Sequence, residues 1–428
     1  MGNSRLVSNR LVFEELSYDC DVLKQEAEYL SSKLTDEQRV ICNTMLEDIS
    51  CNLGGLFFVY SYGGNGKTFL WRALSSTLRA KRQIVLNVTS SDIASLLLLG
   101  GRTAHSRFAI PIAINEDSTL VLGGDFRQIL PVVPKGTIQD IVSAAVNSSY
   151  MWNNCEVLKL TKNLRLSAAP HEVDKQKLED FANWIADIGD GKTGGPNDGY
   201  VEVEIPKNMP LPSDGNHIST IVKNTFPMFV NGNSNHTFVE GQAILSSILD
   251  VVNQVNEYMS ALHTSESRTY FSCDNVCKAD ADNGILGDVH TPELLNGIRV
   301  LGLPNHTLTL KIGSPVMLMR NIDHSVGLCN GTRLIITKLA DRIIEAEIMT
   351  GANRGTKVLI PRMSMSPSDL RLPFKFQRKQ FPLMLSYAMT INKSQGQTLS
   401  HVGLLLKNRF LYIASCTLLH LGLTIPMV

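Results

Sequence analysis

The chain has 428 residues, 43% hydrophobic and 19% charged, with a formal net charge of zero. That length suits roughly two or three domains around sizeable cores, and the composition excludes a disordered polar chain. The neutral balance argues against a protein that coats duplex nucleic acid with a basic surface, but not against a motor that confines its positive charge to one channel.

No apolar run approaches the roughly 20 residues of a membrane span, so no membrane partner is expected. Met1–Leu6 lacks a signal-peptide apolar core, and Leu6 stands where a myristoylation signal needs Ser or Thr. The 8 cysteines are scattered, with only Cys273 and Cys277 close together, which reads as free thiols in a reducing compartment.

Residues 1–31 read as a helical lead-in. Leu34-Thr35-Asp36-Glu37-Gln38 then opens a helix, with Thr35 and Gln38 spaced as a capping box. Gln38 either only caps, or its amide reads an adenine ahead of the loop that follows. The apolar run Leu56–Tyr60 predicts a buried strand. Directly after it stands Ser61-Tyr62-Gly63-Gly64-Asn65-Gly66-Lys67-Thr68, and a helix is expected from Phe69 to about Leu78.

Strand, glycine-rich loop and helix in this order form a phosphate-binding loop. Gly63, Gly64, Asn65 and Gly66 let backbone N–H groups close around phosphate oxygens. Lys67 reaches the β- and γ-phosphates, the Thr68 hydroxyl holds Mg²⁺, and the helix that Phe69 begins adds its positive end. ATP as substrate with Mg²⁺ is the expectation. Ser61 departs from the strict pattern, which has glycine there.

Ile84–Val88 reads as a buried parallel strand, Ile93–Leu99 as a helix, and Leu120–Leu122 as another buried strand that ends in Gly123-Gly124-Asp125-Phe126-Arg127-Gln128. Residues 32–166 thus alternate strand and helix as a doubly wound α/β domain. The stretch 188–216 is rich in Gly, Pro and Asp, like a linker. A second α/β unit resumes at Ala243–Leu245. From Thr307 to Pro361 short strands at 315–319, 332–336 and 357–360, with turns at Asn330-Gly331 and Gly351-Ala352-Asn353, predict a small inserted β-barrel.

In this order the motifs resemble the Pif-family 5′-to-3′ DNA helicases of helicase superfamily one, closest to the plant and Helitron-type versions. The resemblance runs from about Leu11 to Lys407. It rests on Leu34–Gln38, Gly63–Thr68, Gly100–Ser106, Gly123–Gln128, Leu160–Arg165, Leu328–Arg333 and Ala388–Gln397.

It implies two RecA-like domains: the first over 32–166, and the second in parts at 167–306 and 362–428 around an SH3-like β-barrel at 307–361. It also implies ATP-driven unwinding of single-stranded or forked DNA by a monomer, in repair, recombination and telomere maintenance. The nucleus is the expected location, with mitochondria as the alternative. Gln38 would bind adenine, Gln128 would sense the γ-phosphate, and Arg165 would be the arginine finger. Thr103, His105 and Ser106 would touch the single strand from the first domain, and Thr390, Asn392, Lys393 and Gln395 from the second. Phe374–Lys379 reads either as a stacking edge or as an ordinary amphipathic strand.

The sequence also departs from the family pattern. That pattern has an apolar strand ending in Asp-Glu-Ala, the carboxylate pair that holds Mg²⁺ and activates water. Here Asn115–Thr119 runs straight into Leu120–Asp125. Asp125, or Glu116 and Asp117, could stand in, although Pro111 argues against a central strand before them. Leu411–Cys416 resembles a shortened form of the last motif, and residues 417–428 lack its arginine. Asp92 replaces a family glycine. Impaired hydrolysis is therefore expected. The alternative is a non-hydrolysing nucleotide- and strand-binding relic of a transposon-type helicase, or an incomplete gene model.

Overall fold

The computed structural model describes residues 10–104, 118–127, 133, 136–164, 172–193, 203–207, 209–212, 215–230, 239–276, 291–300, 302–367, 374, 376–397 and 399–406. Contacts gather them into two units that divide between Glu204 and Ile205.

The first unit opens with α1 (Arg10–Leu16), α2 (Cys20–Lys33) and α3 (Asp36–Cys51). Asp19 caps α2, and Thr35 caps α3 in a reciprocal box with Gln38. β1 (Leu56–Tyr60) leads into α4 (Lys67–Ala80). After these come β2 (Val88–Thr89), the helical turn α5 (Asp92–Ser95), β3 (Arg102–Thr103), β4 (Leu120–Gly124) and β5 (Glu156–Lys159). The helix Glu172–Gly189 belongs to the same unit.

β4, β1 and β5 form a parallel sheet in that order, with Leu120 and Leu56 in register, and Phe57 with Glu156. One face buries Phe57 and Val59 against Ile41, Met45, Leu70, Leu74 and Leu78 of α3 and α4. On the other, Phe58 stacks on Phe126 at 5.1 Å and meets Trp152 edge-on at 5.0 Å. The lead-in is anchored by a buried ion pair, Glu15 with Arg79, whose Nε lies 2.8 Å from Oε2.

The expected strand Ile84–Val88 is not formed as such. Only Val88–Thr89 pairs, with Arg102–Thr103, in a ribbon separate from the three-stranded sheet. Ile84 is 49% exposed. The predicted helix Ile93–Leu99 shortens to one turn, with Leu97 and Leu99 also exposed. The outer edge of β4 has no pairing strand among the described residues. Leu120, apolar and on that edge, is 39% exposed.

The second unit contains the helices His217–Thr225 and Leu249–Leu262, packed on a parallel sheet of β17 (Ala388–Thr390), β6 (Gln242–Ser246) and β18 (His401–Leu404). Between β6 and β17 the chain forms β7 (Ser267–Phe271), β8 (Cys273–Val276), β9 (Thr307–Lys311), β10 (Pro315–Leu318), β11 (Arg333–Leu339), β12 (Ile343–Ile348), β13 (Lys357–Pro361), β14 (Met363–Met365), β15 (Phe376–Gln380) and β16 (Leu383–Leu385). The expected strands at 315–319, 332–336 and 357–360 are β10, β11 and β13.

An antiparallel sheet in the order β13, β12, β11, β10, β16 encloses its own core of Val316, Leu318, Leu334, Ile336 and Ile344. That core also takes Tyr270, Phe381 and Leu383, so the β-rich part draws on chain before 307 and after 361.

β15 settles the two readings of Phe374–Lys379. Phe376, Arg378 and Gln380 are buried while Gln377 and Lys379 face solvent. Arg378 is held by Asp274 at 2.6 Å and by the carbonyls of Leu295, Ile298 and Pro304, so the stacking edge gives way to an ordinary strand. Among the described residues, no helix is long and apolar enough to cross a membrane.

Candidate nucleotide and single-strand sites

Where β1 ends, the chain turns into the glycine loop. Ser61 N–H still donates to the Gly124 carbonyl at 3.2 Å, so the sheet ladder runs into the loop. Gly64 and Gly66 have φ of 94° and 77°, a region that L side chains resist. Ser61 is not among the residues of positive φ, so its backbone does not demand the family's glycine. A Cβ at Gly66 would stand 2.6 Å from Gln38 Nε2 and 3.0 Å from Leu164 Cδ1.

The loop is braced from three directions. Gln38 is buried: its Oε1 accepts from Thr35 N–H at 3.1 Å, and its Nε2 donates to the Asn65 carbonyl at 3.1 Å. Both ends of this amide are thus engaged, capping the helix and holding the loop at once. Asn65 Nδ2 donates to the Leu160 carbonyl at 2.7 Å, Tyr62 hydroxyl to the Thr161 carbonyl at 2.6 Å, and Leu164 N–H to the Gly64 carbonyl at 3.1 Å. Glu37 accepts from Thr161 N–H at 3.0 Å and Lys162 N–H at 3.3 Å. Burial opposes the Glu37 charge, but these hydrogen bonds prevail and keep its carboxyl below the ordinary value.

Lys67 opens α4 and folds back along the loop, with Nζ donating to the Ser61 carbonyl and, at 3.4 Å, to the Gly124 carbonyl. Burial lowers its pKa, and the charge of Asp125 partly restores it. Thr68 and Phe69 follow in the first turn, half-buried.

At the far end of β4, a Cβ on Gly123 would meet the Trp71 ring at 2.5 Å, and one on Gly124 the Phe58 ring at 2.8 Å, which accounts for the glycine pair. Asp125 accepts from Arg127 N–H at 3.0 Å. Arg127 pairs with Asp190 at 2.7 Å and lies over the Tyr62 ring at 4.6 Å, tying the segment after β4 to the loop.

The arrangement fits a phosphate chain: open glycine backbone, a half-buried ammonium and a helix N-terminus converge. For a divalent cation it offers the Thr68 hydroxyl. No group of three or more His, Cys, Asp or Glu side chains suited to a metal occurs among the described residues.

Of the remaining expected site residues, Thr103 lies half-buried in β3. Thr390 ends β17, and Asn392, Lys393 and Gln395 follow on the helical turn Ile391–Ser394 and just beyond it, with Asn392 exposed. His105, Ser106, Gln128, Arg165, Glu116, Asp117, Cys277 and the segment 411–416 lie outside the described residues. The bracing by Glu37 and Tyr62 toward residues 160–162, and the pairing of Asp190 with Arg127, are not among the roles expected from sequence.

The PIF1-like helicase family description matches residues 33–120 and 117–199, and the description of the DNA helicase Pif1 2B domain matches residues 293–339. Among curated proteins, an ATP-dependent DNA helicase Pif1 from Bdellovibrio bacteriovorus is 24% identical over 373 residues, covering 80% of this chain and 76% of that protein. An ATP-dependent DNA helicase PIF1 from Xenopus laevis is 29% identical over 187 residues, 41% of this chain and 26% of its own length.

Among solved structures, Bacteroides Pif1 bound to single-stranded DNA aligns with a TM-score of 0.59 at 19% identity over 92% of each chain. The Candida albicans Pif1 helicase aligns at 0.55 and 19%, over 92% of this chain and 94% of that one. At these identities the alignments establish a shared α/β fold.

Proposed function

This chain belongs to the PIF1-like helicase family, and from that premise we propose that it binds ATP with Mg²⁺ at Gly63–Thr68 and single-stranded DNA along Thr103 and Thr390–Gln395, as a monomer, while hydrolysing ATP poorly. The curated members it matches are ATP-dependent DNA helicases.

In this reading Lys67 leaves the Ser61 and Gly124 carbonyls to meet the β- and γ-phosphates, and Mg²⁺ bound with the nucleotide would neutralise phosphate charge beside Thr68. Gln38 reaches adenine only by releasing the Asn65 carbonyl, so nucleotide entry and loop bracing are coupled. Arg165 is carried over from the family pattern as the finger that stabilises charge on the transferring phosphoryl group. The family's 5′-to-3′ polarity and nuclear DNA substrate are carried over as part of the same reading.

The observation that carries the impairment is the bare outer edge of β4. The sheet has no further strand there among the described residues, the β2–β3 ribbon stands apart, and apolar Leu120 is exposed. The family match supports the same break, since its two segments meet at residues 117–120, where the sequence joins Thr119 to Leu120. Without a carboxylate strand at that edge, water activation loses its base, a loss of about 10²- to 10⁵-fold by analogy with removal of other catalytic groups.

The test is fluorescent-ADP binding together with unwinding of a forked duplex. Saturable binding that Lys67→Ala abolishes, with no ATP-dependent unwinding, supports the proposal. Vigorous unwinding refutes the impairment and restores a working helicase, and absence of nucleotide binding refutes the site.

A further inference from the structure

Between β10 and β11 the chain makes the turn Leu328-Cys329-Asn330-Gly331-Thr332-Arg333, to which the nucleotide and strand chemistry above assigns no task. It is braced far beyond what a connection needs. Gly331 has φ of 97°, and its N–H donates to the Leu318 carbonyl at 2.8 Å. Thr332 Oγ1 donates to the Gly327 carbonyl at 2.8 Å and accepts from Cys329 N–H at 3.1 Å. Asn330 N–H donates to Asn321 Oδ1 at 2.7 Å.

The turn is also keyed into the parallel sheet. Arg333, fully buried, donates Nη2 to the Gln242 carbonyl at 2.9 Å and to the Ser386 carbonyl at 3.2 Å. On its other side, buried Gln397 donates Nε2 to the Gly331 carbonyl at 2.7 Å. Lys393 donates Nζ to Asn330 Oδ1 at 3.3 Å. One short segment thus bonds both Lys393 on the helical turn Ile391–Ser394 and Gln397, three residues beyond it.

We propose that Asn330 is a positioning residue: seated on this rigid turn, its side-chain oxygen holds the Lys393 ammonium in the direction from which it meets a phosphate of the bound strand. The proposal rests on the reading of Lys393 as a phosphate contact. A lysine side chain is long and loses much rotamer freedom on binding, so holding it beforehand lowers that cost. An amide oxygen suits the task, because it orients the ammonium without neutralising its charge. An aspartate would fit the same turn but cancel the charge.

The experiment measures anisotropy of a labelled oligothymidylate with the full chain across a salt series, for Asn330→Ala, Asn330→Asp, Lys393→Ala and the double alanine variant. Asn330→Ala is expected to weaken binding about three- to tenfold, the cost of immobilising one long side chain. Asn330→Asp is expected to weaken it further and to flatten the salt slope by about 0.7, as Lys393→Ala does, because one phosphate contact is lost. In the Lys393→Ala background, Asn330→Ala is expected to add nothing. Asn and Asp both suit a turn, so the Asp variant keeps the test valid if the alanine variant unfolds.

Undiminished binding by the Asn330 variants beside a weakened Lys393→Ala overturns the positioning role alone, as does a full Asn330→Ala effect without Lys393. Undiminished binding by Lys393→Ala overturns the phosphate reading and this proposal with it.

Discussion

Replacing Gly66 by alanine tests how the loop is held. Gly66 sits at φ 77° and ψ 27°, the left-handed region, where an L side chain costs about 1–2 kcal/mol. The new methyl would also stand 2.6 Å from Gln38 Nε2, inside contact distance. Gln38 is 1% exposed and both ends of its amide are bonded, so it cannot yield without breaking its bonds to Thr35 and Asn65. Each is worth about 1 kcal/mol net, and an unpaired buried amide costs more. The sum for Gly66→Ala is about 3–4 kcal/mol of stability in the first unit.

The assay is urea unfolding followed by tryptophan fluorescence. The chain has 3 tryptophans, Trp71, Trp152 and Trp184, all in the first unit, so the signal reports that unit alone. Adding Gln38→Ala to Gly66→Ala removes the collision and leaves the backbone strain, so the two changes should couple by about 1–2 kcal/mol. Strict additivity, or a Gly66→Ala variant as stable as the parent, would refute the reasoning.

Lys67→Met should raise the thermal midpoint of the nucleotide-free protein near neutral pH while abolishing nucleotide binding. Burial depresses the Lys67 pKa, so folding is penalised while the side chain is charged; the penalty is full below the lowered pKa and vanishes above 10.5, and the gain should shrink across that window. A lower midpoint at neutral pH contradicts this. Glu15→Gln should cost about 3 kcal/mol by the same tryptophan assay, because it leaves Arg79, with its side chain 0% exposed, without its charge partner; a change under about 1 kcal/mol would place the anchor elsewhere. Ser61→Gly should leave ADP affinity unchanged by equilibrium titration and lose about 0.5–1 kcal/mol of stability from added chain entropy; a gain in affinity would mean that glycine is needed there after all.

The phosphate loop was legible because its chemistry is local: the strand Leu56–Tyr60, the glycines and Lys67-Thr68 adjoin in sequence, and each obeys a backbone rule. The β-rich strands were legible from alternation and from Asn330-Gly331. Three things were not. Ile84–Val88 has the composition of a buried strand, yet most of it is unpaired, because pairing depends on a neighbour that composition cannot supply. For Phe374–Lys379 the pattern left two readings open, and the choice rests on Asp274, distant in sequence, which draws Arg378 inside. The braces from Glu37, Asn65 and Tyr62 to residues 160–164 join segments about a hundred residues apart, and no local pattern announces them.

The most direct test of the account is ATP turnover by the full chain, with saturating single-stranded DNA and Mg²⁺, beside Lys67→Ala. The account predicts that the parent binds nucleotide yet releases phosphate no faster than Lys67→Ala, with or without DNA. DNA-stimulated turnover that Lys67→Ala abolishes would contradict it and would mean that a carboxylate serves the loop.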